Sequence, residues 1–87
     1  MEYVEVYQKL KSKKIKDVYL TRKGQSAVEL SGAKGLSYLE QHADKAKPVY
    51  DQNGAVQFKI GDDDLVFHYE WADYENYAAL SDRFSDD

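Results

Sequence analysis

The sequence predicts a single small α+β domain over 1–87, an antiparallel sheet packed by about three helices. Three observations predict it. Apolar residues recur at helical spacing near the N-terminus and in two later segments, two stretches between them alternate with period two, and glycine-centred turn signals separate the alternating runs. Eighty-seven residues suffice for one domain, and with no cysteine neither a disulfide nor a thiolate metal site can support it. A chain this short buries only roughly 60–65% of its unfolded surface, so its core must be apolar and well packed or completed by a partner. The 14% aromatic content, with eight tyrosines, supplies the area.

The elements follow in order. Tyr3, Val6, Tyr7 and Leu10 line one face of a helix over about 2–13, with Glu2 and Glu5 early and lysines late, as the helix dipole favours. A strand through Val4-Glu5-Val6 is the weaker reading. The period then changes to two: Val18 and Leu20 share a face, Gly24 turns the chain, and Val28 and Leu30 return on the same side, making a first hairpin. Leu36, Leu39 and Ala43 predict a second helix over about 33–46, ended by Pro48.

The second hairpin is the clearest element. With Gly61-Asp62-Asp63-Asp64 as its loop, Ile60 faces Leu65, Phe58 faces Phe67 and Val56 faces Tyr69, and the apolar sets share one face. Asp51-Gln52-Asn53-Gly54 is a further turn signal, so Val49-Tyr50 adds an earlier strand in the alternative arrangement of a hairpin plus a meander. Asp73 is the N-cap expected of a last helix striped by Tyr77, Leu80 and Phe84.

Chemical motifs are scarce. No nucleophile elbow, phosphate loop or dinucleotide fingerprint occurs, and His42 and His68 follow no metal-ligand spacing. The Asp62-Asp63-Asp64 triplet lacks the alternating ligands and closing glutamate of a calcium loop, so it reads as a solvated turn or an acidic knob. The expectation is no enzyme activity, no cofactor and no metal. The N-terminal residues 1–5 show neither the positive nor the apolar region of a signal peptide, and no apolar run is long enough to span a membrane. A reducing, cytoplasmic location is therefore expected.

Charge gives the functional clue. Residues 1–23 hold seven basic against three acidic side chains, whereas 60–87 hold one against nine. The basic run Lys9–Lys16 suggests a small nucleic-acid-binding accessory protein as the alternative function, although with a net charge of −4 direct nucleic-acid binding is not expected. The leading reading is a non-enzymatic inhibitor of the immunity, antitoxin or phage-antagonist kind. Its expected binding surface comprises Asp62, Asp63, Asp64, Glu70, Asp73, Tyr74 and Glu75. The expected partner is a larger protein with a basic, nucleic-acid-binding site, in practice an enzyme. Carboxylates set association rate and aromatic anchors set residence in such interfaces.

Overall fold

In the computed structural model, which describes residues 2–70, the chain is α+β. The elements are α1 (Tyr3–Lys11), β1 (Ile15–Thr21), β2 (Val28–Leu30), α2 (Gly32–Gln41), β3 (Ala46–Gln52), β4 (Ala55–Ile60) and β5 (Asp63–Tyr69). Two helices are present among the described residues. The third, expected from Asp73, lies outside them.

The five strands form one antiparallel sheet in the order β2-β1-β5-β4-β3. Hairpins join β1 to β2, β3 to β4 and β4 to β5, and the non-local β1–β5 pairing fuses the first hairpin to the meander. Val18, Leu20, Val56, Phe58, Ile60, Leu65, Phe67 and Tyr69 point to one face and form a single buried core with Val6 and Leu10 of α1 and Leu39 of α2. Both helices therefore cover that face, α1 toward β3 and α2 over β1 and β5. Tyr7 donates its hydroxyl hydrogen to Glu40 and ties one helix to the other.

Several boundaries differ from the sequence reading. Helix α1 stops at Lys11, where the Ser12 hydroxyl donates to the Lys9 carbonyl at 2.7 Å. Lys13 and Lys14 then lie in the turn and Lys16 on β1, so the basic run Lys9–Lys16 does not lie on one helix.

Helix α2 ends at Gln41 rather than at residue 46. Ala43 contributes little apolar area there, and the His42 ring bonds the Tyr38 carbonyl at 2.8 Å, satisfying a helix-end acceptor. The Lys45 and Ala46 amides both donate to the His42 carbonyl, a turn that leads straight into β3. Pro48 lies inside β3 because this is an edge strand whose outer side needs no donor, and a bulge follows between Pro48 and Tyr50.

The β4–β5 register is offset by two residues from the predicted one. Ile60 pairs with Asp63, Phe58 with Leu65 and Val56 with Phe67. The loop is the pair Gly61-Asp62, closed by a glycine at φ 64°, and Asp63 and Asp64 join the strand. An offset of two preserves the faces, so Phe58 and Phe67 still meet in the core at 6.0 Å, edge to face. The β3–β4 turn is Asn53-Gly54 with both φ positive, 57° and 78°, the conformation a right-twisted two-residue hairpin demands.

Candidate functional site

The alternation that buries one side of the sheet builds the other. No helix covers this second face among the described residues, and three cross-strand rows run over it. The central row is Glu29, Tyr19, Val66, Gln57 and Tyr50. Asp17, His68, Ala55 and Gln52 make one flanking row, and Thr21, Asp64, Lys59 and Lys47 make the other.

Charges on this face are sorted by strand. The carboxylates Glu29, Asp17 and Asp64 gather on β2, β1 and β5, while Lys59 and Lys47 lie on β4 and β3. Asp17 accepts from or pairs with the His68 ring nitrogen Nδ1 at 2.7 Å, and the Tyr19 ring stands edge-on to that imidazole at 6.0 Å. Asp64 accepts from Gln57 at 3.1 Å and from Lys59 at 3.2 Å.

The carboxylates are felt at the tyrosine. Glu29 first, then Asp17, push the Tyr19 hydroxyl above its ordinary value, because a phenolate beside them would meet like charge. Tyr38 is also raised, chiefly by burial and by donating at 3.1 Å to Asp63, with the Arg22 guanidinium opposing. Tyr7 is raised mainly by its bond to Glu40, and Tyr3 mainly by burial.

These four shifts have one sign, and a pH prediction follows. The folded chain holds tyrosine protons more tightly than the unfolded chain does. The stability they contribute is complete below the ordinary value of about 10 and is lost as pH rises through the higher folded values. Urea midpoints measured across roughly pH 9 to 11, with tyrosinate absorbance followed in parallel, should fall as the phenolates form. A midpoint that stays constant through tyrosine ionisation would contradict these assignments.

The structure divides the predicted binding residues. Asp62 is exposed at the hairpin tip, Asp63 turns to the helix side against Tyr38, and Asp64 lies on the open face. Glu70 sits at the far end of β5, about 20 Å away along seven residues, its amide donating to the Lys14 carbonyl at 2.8 Å. Asp73, Tyr74 and Glu75 lie outside the described residues. Asp64 thus lies on the open face with Asp62 beside it at the β4–β5 turn, and Glu70 stands apart.

Asp17, Tyr19, Glu29 and Tyr50 were not among the predicted site residues. The signal for the first two was present, since the alternation that buries Val18 and Leu20 sends Asp17 and Tyr19 to the opposite side. The basic residues form no single surface strip. Lys9 pairs with Asp51 at 3.2 Å, Lys11 lies over the Tyr7 ring, and Lys13 over the Tyr69 ring.

Among the described residues, no group of three or more His, Asp or Glu side chains is placed to hold a metal ion, and no helix is long and apolar enough to cross a membrane. Compared with protein-family models, curated proteins and solved structures, the chain shows no match.

Proposed function

We propose that this chain is a non-enzymatic protein-binding inhibitor that docks its acidic, aromatic surface on a basic, nucleic-acid-binding site of a larger partner. The observation that supports this most is Tyr19 in the central row of a sheet face that no helix covers among the described residues, with Glu29 directly across from it and both Glu29 and Asp17 raising its hydroxyl. An aromatic ring among carboxylates suits a groove built for nucleic acid. The carboxylates occupy phosphate positions, and the ring occupies the place of a base. The acidic half of the face, β2-β1-β5, continues through Asp64 to Asp62 at the β4–β5 turn, while the lysines of β4 and β3 mark where the contact ends. Long-range attraction then sets the association rate, and Tyr19, flanked by Val66 and His68, sets residence.

The test begins with capture of a partner on the immobilised chain at low and raised salt. The purified partner is then measured against variants. Glu29→Gln, Asp62→Asn and Asp64→Asn together should slow association about tenfold or more at low salt and flatten its salt dependence. Tyr19→Ala should chiefly accelerate dissociation, and nucleic acid should displace the chain. If the chain itself binds duplex or single-stranded nucleic acid near physiological salt, through lysines 9 to 16, the reading fails.

A further inference from the structure

A second surface has the opposite polarity. On the helix-covered side, where α2 leaves the β2 edge of the sheet exposed, two adjoining hollows of about 120 Å³ and 230 Å³ share Leu20, Arg22 and Leu30. The smaller opens toward Val28, which is 54% exposed, and the larger toward Lys34 and Tyr38 of α2. Leu20 and Leu30 give an apolar floor. Arg22 and Lys34 stand exposed at the rim.

The lining is unusual for this chain. Acidic residues outnumber basic ones sixteen to twelve in the sequence, yet among the described residues no carboxylate lines either hollow and two cations do. Asp63, beside the lining residue Tyr38, is engaged by the Tyr38 hydroxyl. The apolar floor that the two hollows share, Leu20 and Leu30, suits one large apolar side chain. The edge beside them also invites a backbone. Strand β2 ends the sheet, so among the described residues its outer side carries no paired strand, and its three residues are too few to cover seven-residue β1.

We infer that this groove binds an extended acidic peptide, with one aromatic or large aliphatic side chain seated over Leu20 and Leu30 and flanking carboxylates held by Arg22 and Lys34. A peptide laid along β2 would place alternate side chains on the side of Val28 and Leu30, which is the side of the hollows. The side-chain contacts of this surface lie on the opposite side of the sheet from Tyr19, with β2 the strand common to an acidic segment here and a basic partner on the open face.

The probe is the blocked peptide acetyl-Asp-Asp-Phe-Asp-amide, titrated into the isotopically labelled full chain and followed by NMR. Saturable shifts are expected at the Val28, Leu20 and Leu30 methyls and at the Arg22 side-chain N–H. Arg22→Gln and Lys34→Gln should each weaken binding by about threefold to fivefold, as for exposed charge pairs. Val28→Asp, at an exposed position that leaves the core intact, should abolish it. The lysine counterpart acetyl-Lys-Lys-Phe-Lys-amide should not bind. Absence of saturable shifts, equal binding of both peptides, or shifts confined to Tyr19 and Val66 on the open face would each overturn the inference.

Discussion

Replacing Phe67 by alanine should cost about 3–5 kcal/mol, a large share of the roughly 5–15 kcal/mol that holds a small domain folded. Phe67 is fully buried and sits on β5, the central strand, paired with Val18 on one side and Val56 on the other. Its ring meets Phe58 edge to face at 6.0 Å, so truncation removes both apolar burial and an aromatic contact. The cavity would open beneath both helices, where neighbours on two paired strands leave little room for collapse. Val66, one residue earlier, faces the open side and is only partly buried, so Val66→Ala should cost well under half as much. Urea denaturation of the two variants checks the assignment of faces. Equal costs would contradict it.

Gly35→Ala should also destabilise, by about 1–3 kcal/mol, against the direction that helix propensity alone would give. A Cβ at position 35 would lie 2.7 Å from both Val18 methyl carbons, well inside van der Waals contact. Those methyls belong to a fully buried residue in the middle of β1 and cannot swing away, so α2 would have to lift from the sheet. The test is a double-mutant cycle with Val18→Ala. Each single change should destabilise, and the pair should cost less than their sum because the smaller side chain makes room for the new methyl. A stabilising Gly35→Ala would show that the helix does not approach β1 this closely.

Local patterns in the sequence made much of this architecture legible. The alternation of Val56, Phe58, Ile60, Leu65 and Phe67 identified the buried face correctly even though the register moved by two residues, because side-chain direction depends only on parity. The stripe Tyr3, Val6, Tyr7, Leu10 likewise located α1. Less visible was where Gly61 would turn. A four-residue acidic loop and a two-residue glycine turn both align the apolar sets, and the tighter one lets Asp63 meet Tyr38 and Asp64 meet Lys59.

The end of α2 was missed because Ala43 extends the helical spacing without adding enough apolar area to hold the turn. Strand order could not be read from local periodicity, since the β1–β5 pairing joins residues about fifty apart. That pairing is what brings Asp17 beside His68 and Tyr19 beside Val66, so half of the candidate surface depends on a non-local contact. Counting acidic residues along the chain grouped Asp62 with Glu70, whereas the extended strand between them separates the two.

Carboxyl footprinting of the partner complex tests the functional account most directly. Surface carboxylates are amidated with a carbodiimide and an amine, with and without the captured partner, lysines are acetylated in a parallel sample, and the modified positions are read by mass spectrometry. The proposed mode predicts protection of Glu29, Asp62 and Asp64 in the complex, with lysines 9 to 16 labelled as in the free chain. Protection of those lysines, with Glu29, Asp62 and Asp64 labelled equally in both states, would contradict it.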